Sequence, residues 1–282
     1  MRAIPKKIHQ IYTKGWDILP GDVKTQIDRL KWINPDYAYA FYAEPDMYQY
    51  IKKHYGQDML DVYQQINPEY GAARADLFRY LVIYQEGGVY LDIKSSCEKP
   101  LDAVIPPDCE LILCHWDNGP GGLDKQKGLH PELSFMAHGE YEQWNIMAKK
   151  GSPFIKAVID EVVYRIKNYK PWRYGVGMKG VLMTTGPIVY TEVIGKMADH
   201  GNVLHVLNHR EIGLVYSAVN KSIWKCIGKS AYARYKTPVV RLGKKDYKLY
   251  QLWLMFIFPC KRLKKNIHNE CRNFIRKIKS GI

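Results

Sequence analysis

The sequence predicts an α/β fold, on three observations. Short strand-like runs alternate with segments of helical spacing along much of the chain. One stretch reads as a nearly all-apolar helix that stops at Gly87-Gly88 and passes into a short strand ending in charge. A chain of 282 residues is also long enough for one large domain with a substantial core and an appendage.

The strand-like runs are Ile8 to Tyr12, Tyr37 to Ala43, Val89 to Ile93, Glu110 to His115 and Asn145 to Ala148. Between the first two, Val23, Ile27, Leu30 and Ile33 recur at helical spacing. From Pro153 to Lys167, Phe154, Val158, Val162 and Ile166 recur every four residues behind a Ser-Pro start that suits a helix N-terminus. No internal repeat and no low-complexity linker interrupts this order. A polar loop from about Asp117 to Pro131 contains Gly-Pro-Gly-Gly at 119 to 122. It reads either as an ordinary surface loop or as a candidate active-site loop.

The most informative stretch runs from Asp76 to Lys94. Leu77, Phe78, Leu81, Val82 and Ile83 cover most of the helix circumference, which marks a core helix. Asp76 and Arg79, three apart, are neighbours on one face. Burying them is costly unless both are fully hydrogen-bonded, so the pair is either structural or there to hold a polar ligand. Gly87-Gly88 ends the helix, because positive φ there is cheap only for Gly or Asn. Alternation along the following strand predicts Asp92 and Lys94 on one face and Ile93 on the other. Ligands of open α/β sheets collect beyond the carboxyl ends of strands, which is where these two residues sit.

These residues resemble the centre of glycosyltransferase family 32, the DXD sugar-binding-motif enzymes, a pattern shared with the clostridial glucosylating toxins. That pattern is a D-x-x-R helix followed by G-G-x-Y-x-D-x-D. Asp76, Arg79, Gly87, Gly88, Tyr90 and Asp92 fit it, and Lys94 stands where the second Asp belongs. Four further segments are similar, in the same order. They are Ile4 to Tyr12 (I-P-K-x-I-H-Q-x-W, with Tyr12 for Trp), Asn34 to Tyr37 (N-P-D-Y), Trp144 to Pro153 and Thr185-Gly186-Pro187 (T-G-P). Together they span roughly residues 4 to 195.

The resemblance implies a GT-A-type fold, a Rossmann-like mixed sheet between helices, as one catalytic domain over residues 1–243. A basic helical C-terminal appendage, 244–282, would follow. It implies a retaining hexosyltransferase that moves a sugar from a UDP- or GDP-sugar donor to a glycan acceptor. Breaking the glycosidic bond passes through an oxocarbenium-like state while the leaving nucleoside diphosphate gathers charge, so preorganised positive charge and orientation do most of the work. Carried over, Asp76, Arg79 and Asp92 bind the donor with Tyr90 nearby. Tyr12 lies beside the base, and Asn145, Thr185 and Gly186 line the sugar or acceptor side. No carboxylate stands out as a nucleophile, and a front-face displacement using the leaving phosphate as base would need none.

Lys94 is the departure that matters. In the family the second Asp reaches a divalent cation, Mn²⁺ or Mg²⁺, whereas an ammonium cannot ligate one and repels it. Three readings are open. Lys94 puts its own charge at the diphosphate, with Asp92 and Lys94 as the catalytic pair. Asp92 alone holds the metal with other ligands. Or Lys94 only pairs with Asp92 in a catalytically silent sugar-nucleotide-binding or membrane-surface protein derived from such an enzyme.

The net charge is +14, and residues 244 to 282 contribute 11 basic and 2 acidic residues to it. Leu249 to Pro259 is apolar and aromatic, with Trp253, Phe256 and Phe258. At eleven residues it falls short of the roughly 20 that span a bilayer. Leu263, Ile267, Cys271, Phe274 and Ile278 then follow at steps of four, four, three and four among Lys and Arg. That pattern fits an interfacial amphipathic helix on an anionic membrane, or a C-terminal helix packed on the domain with a solvated basic side. The first suits a lipid-linked glycan acceptor in surface-polysaccharide synthesis.

No recognisable nucleic-acid module accompanies the charge, so nucleic acid is not the expected partner. The six cysteines show no C-x-x-C and no zinc spacing, and His205 and His209, on or beside a strand, read as packing or surface residues. Met1 to Lys7 has no apolar signal core, which leads to the expectation of a cytoplasmic enzyme with reduced thiols at the inner face of the membrane. The membrane reading predicts retention of the full chain on anionic vesicles, weakening as salt rises, and none on oligonucleotides of equal charge density in the same co-sedimentation assay.

Overall fold

The computed structural model describes residues 2–197, 201–219 and 231–257. Its centre is a six-stranded sheet in the order β2-β1-β3-β6-β5-β7. The strands are β1 (Lys7–Ile11), β2 (Ala38–Tyr42), β3 (Gly88–Leu91), β5 (Leu111–Cys114), β6 (Asn145–Ala148) and β7 (Val203–Val206). β6 runs antiparallel to both its neighbours, β3 and β5, and the other pairings are parallel. A two-strand ribbon of β4 (Ser96–Cys97) and β8 (Leu214–Val215) stands beside it. The mixed sheet between helices expected from the sequence is present.

Alternating side chains divide the core into two layers, as strand geometry requires. Tyr90, Leu111, Leu113, Ile146 and Ala148 face one cluster, and Val89, Leu91, Ile112, Cys114 and Met147 face the other. The first layer is closed by helices α2 (Glu44–Gln65), α3 (Gly71–Glu86), α5 (Pro153–Lys167), α7 (Gly177–Thr184) and α8 (Pro187–Ile194). Helix α1 (Gly21–Ile33) lies on the opposite side and buries Val23, Ile27 and Leu30, the residues whose spacing predicted it. α5 has the bounds the sequence predicts and buries Phe154, Val158, Val162 and Ile166.

α3 is the core helix read from the sequence, with Leu77 through Ile83 all buried. Gly87 caps it at φ +68°, and Gly88 opens β3 at φ +103°. The two glycines let the chain reverse against β1, since a Cβ on Gly88 would lie 2.4 Å from the carbonyl oxygen of Lys7. The strand that follows is shorter than expected. It ends at Leu91, and Ile93 and Lys94 form a turn closed by the Ser95 amide donating to the Asp92 carbonyl at 2.8 Å. Simple alternation therefore does not set the directions of Asp92 and Lys94.

α2 carries no clean sequence period because it kinks at Gly56 (φ 77°), which rotates the apolar stripe between its two halves. Its start is signalled locally, by Pro45 in the first turn and by the Asp46 carboxylate accepting from the Ala43 amide at 2.8 Å. At the other end of the chain, the segment before the tail folds back onto α2 and α3. Val240 bridges Ile66, and the Tyr70 hydroxyl donates to the Thr237 carbonyl at 2.6 Å. A further helix, Lys244–Leu252, buries Tyr250 and pairs Asp246 with Lys170. The amphipathic residues Leu263, Ile267, Cys271, Phe274 and Ile278, and Phe258, lie outside the described residues. Among those described, no helix is long and apolar enough to cross a membrane.

The glycine pair gives a stability test. Gly88→Ala should cost about 3 kcal/mol or more, because strain at positive φ adds to a backbone clash. Gly151→Ala, also at positive φ but with nothing within 4 Å of the added Cβ, should cost about 1 kcal/mol. Urea denaturation of the two variants measures the difference.

Candidate active site

The site assembles where β3 ends, between α3 and the segment that enters β6. α3 presents Asp76 and Arg79 on one face, and both are buried. Arg79 Nη2 lies 3.1 Å from Asp76 Oδ1, and Nη1 lies 3.4 Å from Asp92 Oδ1. The same Nη1 donates to the Gln143 carbonyl at 2.8 Å, and the guanidinium stacks 4.6 Å from the centroid of Tyr90. The Tyr90 hydroxyl donates to Asp92 Oδ1 at 2.9 Å. From the far side, the Thr185 hydroxyl donates to Asp76 Oδ2 at 2.9 Å. One guanidinium thus bridges two carboxylates, and only Asp92, with 26% of its side chain exposed, opens to the surface.

Burial pushes the Asp76 carboxyl up to about 7, against the pull of Arg79 and the Thr185 hydroxyl, and the nearby Asp92 pushes the same way as burial. Burial opposes the charge on Arg79, but Tyr90, Asp92 and Asp76 outweigh it and hold the guanidinium charged. The two directions agree physically. With one cation between two carboxylates, the more deeply buried carboxylate is the one that keeps a proton near neutrality.

Lys94 turns to Tyr216. Its ammonium donates to the Tyr216 hydroxyl at 2.8 Å and lies 4.0 Å from the ring centroid. Burial pushes its pKa down to about 8, against the attraction of Asp92, with Arg79 and Lys127 adding to the depression. Two bonds tie the turn to the strand-β8 segment: Ala218 donates its amide to the Lys94 carbonyl at 2.8 Å, and the Ser95 hydroxyl donates to the Tyr216 carbonyl at 2.6 Å.

The remaining sequence-predicted residues stand at different distances from this centre. Asn145 sits opposite Leu91 on β6 and donates to Glu142 Oε2 at 2.9 Å, while its Oδ1 is buried without a hydrogen-bond partner, as is Arg79 Nε. Gly186 begins α8 and packs against α7, where a Cβ would meet the Leu182 Cα at 2.8 Å; its contacts are structural. Tyr12 packs beside Ile93, on the α1 side, against Leu19, Val23, Ile27 and Val219. An open cleft of about 260 Å³, lined by Asp22, Thr25, Gln26, Ala218 and Val219, adjoins it.

Sequence reasoning missed three parts. Glu142 and His209 form a buried pair at 2.7 Å, flanked by Trp116 and Trp144, and His209 is a core residue. The loop from Asp117 to Pro131 is anchored: Asp124 is buried and pairs with Lys127 at 2.6 Å and with Arg210 at 2.7 Å. Tyr216 gathers Lys94, Trp116, Trp144 and Lys127 around one ring. Apart from Asp124–Lys127, which are three residues apart, these pairings cross stretches of chain that leave no periodic signal.

A divalent cation held as the resemblance implies does not fit these residues. Asp92 Oδ1 already accepts from Tyr90 and faces Arg79, and the position two residues on supplies an ammonium where an oxygen ligand is needed. Among the described residues no group of three or more His, Cys, Asp or Glu could hold a metal ion.

Comparison with known proteins agrees with the geometry. Residues 20–110, which include Asp76, Arg79, Tyr90 and Asp92, match the family model described as "Glycosyltransferase sugar-binding region containing DXD motif". Over 104 residues the chain is 37% identical to the mannosyl phosphorylinositol ceramide synthase SUR1 of Saccharomyces cerevisiae, covering 37% of this chain and 26% of that protein. Over 205 residues it is 28% identical to the initiation-specific alpha-1,6-mannosyltransferase of Candida albicans, covering 68% of this chain and 53% of that one. The chain therefore spans between a quarter and about half of the length of these relatives. Among solved structures it is similar to the PaToxG glycosyltransferase (TM-score 0.44, 17% identity, 88% of this chain and 86% of that one). It is also similar to the UDP-bound glycosyltransferase domain of the YGT toxin (TM-score 0.42, 10% identity, 88% and 94%).

The carboxylate pair predicts a pH signature. Asp76 has a folded pKa raised above its ordinary 3.8 to about 7, so its contribution to stability is full below about pH 4 and is lost as pH rises towards 7. Asp76→Asn should flatten that part of the stability profile measured by urea denaturation. Arg79→Met should cost about 3–5 kcal/mol, because it leaves the buried carboxylate uncompensated.

Proposed function

We propose that this chain is a glycosyltransferase that moves a hexosyl unit, mannose by the relatives' names, from a nucleotide-sugar donor to a lipid-borne acceptor. The observation that carries this reading is the Asp76–Arg79–Asp92 bridge inside the sugar-binding region of the matched family. Asp92, with its carboxylate at the surface, would accept from sugar or ribose hydroxyls. Arg79 and Tyr90 would orient it, and Asp76 with Thr185 would fix Arg79. This makes Asp76 a supporting residue, because its carboxylate is enclosed by Arg79 and Thr185.

The buried, unpartnered Arg79 Nε and Asn145 Oδ1 support the presence of a further polar partner at this site. Tyr12 and the cleft beside Val219 lie on the side where the nucleotide would extend from Asp92. Transfer then depends on two things the protein itself supplies. The sugar is oriented by Asp92, and positive charge waits where the diphosphate leaves. Retention of anomeric configuration is part of the proposal, as a front-face displacement without a protein nucleophile.

For the acceptor, four of the relatives are named for inositol phosphoceramide or its mannosylated form, and two are named initiation-specific alpha-1,6-mannosyltransferases. A lipid-borne acceptor agrees with the basic tail at 244–282, which would bring the enzyme to an anionic membrane surface on its cytoplasmic face.

The test is release of nucleoside diphosphate from a panel of uridine- and guanosine-linked sugars, with and without an inositol phosphoceramide acceptor. One donor should be turned over, and Asp92→Asn should lower that turnover by about 100-fold or more. An absence of both binding and turnover across the panel would refute the transferase reading. Binding without turnover would favour a silent sugar-nucleotide binder.

A further inference from the structure

Glu142 and His209 are buried ionisable groups that take no part in the contacts around Arg79, and each is only 1% exposed. His209 Nδ1 lies 2.7 Å from Glu142 Oε1, and Trp116 and Trp144 stand edge-on to the imidazole with centroids at 5.8 and 5.1 Å. The other carboxylate oxygen, Oε2, accepts from Asn145 Nδ2 at 2.9 Å. Burial pushes the Glu142 carboxyl up, and the bonds from His209 and Asn145 oppose it. A buried pair of this kind adds little stability over apolar side chains of similar volume. Stability alone therefore gives little reason to keep it.

The bonds that run from His209 through Glu142 end unfinished. Asn145 is 1% exposed, and with Nδ2 committed to Glu142 its Oδ1 is left without a hydrogen-bond partner and shielded from water. An ionised carboxylate only accepts, so Glu142 allows the Asn145 amide one orientation, nitrogen towards it and oxygen away. A buried acceptor left unpaired costs free energy that a donor arriving from outside would recover. The place of this acceptor is informative. Asn145 pairs across the sheet with Leu91, and the next residue after Leu91, Asp92, donates its amide to the Trp144 carbonyl at 2.8 Å. The open acceptor thus stands beside the strand end that carries the one carboxylate of the site exposed at the surface.

We propose that Glu142, steadied by His209, is a positioning residue that holds the Asn145 carboxamide so that Oδ1 accepts from a hydroxyl of the sugar bound at Asp92. This rests on the nucleotide-sugar reading above and adds a second acceptor to it. Neighbouring hydroxyls of a sugar can each donate, so Asp92 and Asn145 take two of them and fix the direction of the ring as well as its place. Glu142 itself touches no ligand. His209 occupies the carboxylate oxygen that Asn145 does not use, which keeps Glu142 from turning away.

The test compares kcat/KM for nucleoside diphosphate release by the full chain from GDP-mannose, UDP-glucose and UDP-galactose, with inositol phosphoceramide present. If the wild type binds a donor without turning it over, the same comparisons are read as Kd by calorimetry. Glu142→Gln should keep at least about a third of the wild-type value, because its side-chain oxygen still accepts from Asn145. Glu142→Leu should lose about tenfold or more, yet less than about twofold further when added to Asn145→Ala. A merely structural role would give the same loss in both backgrounds. Asn145→Asp sets two carboxylates against each other and should lose about 100-fold, and adding Glu142→Gln, whose amide N–H donates to the new carboxylate, should recover about tenfold or more. Circular dichroism and thermal melting check each fold, and if Glu142→Leu does not fold, the near-isosteric exchange decides alone. Equal losses from Glu142→Leu in both backgrounds, a fully active Asn145→Asp, or no recovery in the double variant would overturn the positioning role and leave the transferase reading standing. No binding and no turnover of any donor by the wild type would overturn both.

Discussion

One buried guanidinium organises the centre of this protein. Arg79 is enclosed among a helix, a strand end and the segment before β6, and it contacts Asp76, Asp92, the Gln143 carbonyl and the Tyr90 ring. Burying that charge is tolerable only because each neighbour answers it. The geometry that answers it also fixes where Asp92 can be. α3 must be apolar on nearly every side to carry Arg79 into the core, and Gly87-Gly88 must reverse the chain tightly enough to bring Asp92 back over it. Thr185 must reach in from the start of α8 to complete the shell around Asp76. The outcome is a carboxylate at the surface with a pre-set direction.

Beside it, the Tyr216 ring gathers Lys94 and Lys127, with Asp92, Glu140 and Glu142 within electrostatic reach. Lys94 stands two residues after Asp92, where a hard cation would need an oxygen ligand. Buried Asp124 and the Glu142–His209 pair tie the loop, Arg210 and the aromatic walls to this cluster. These contacts explain how a glycine-rich loop can hold position.

Much of this was legible in the sequence where local rules act alone. The all-apolar α3, the glycine stop and α5 behind Ser-Pro follow from periodicity and capping, and the structure has them where expected. α2 escaped because the kink at Gly56 breaks its period. β3 stops at Leu91, so the placing of Asp92 and Lys94 depends on a turn and not on the alternation the sequence suggests. The Tyr216 cluster and the Glu142–His209 pair were invisible because their partners meet only through the tertiary fold, 122 and 67 residues apart. Lys94 was visible as a departure, but its partner was not.

The most direct measurement of the central assignment is a crystal structure of the full chain with a hydrolysis-resistant analogue of the preferred sugar nucleotide. The sugar should lie with a hydroxyl within hydrogen-bond distance of Asp92, and the Asp76–Arg79 pair should be unchanged beneath it. A ligand ordered elsewhere on the protein, with Asp92 still closed on Tyr90 and Arg79 and touching no part of it, would contradict the assignment of this site.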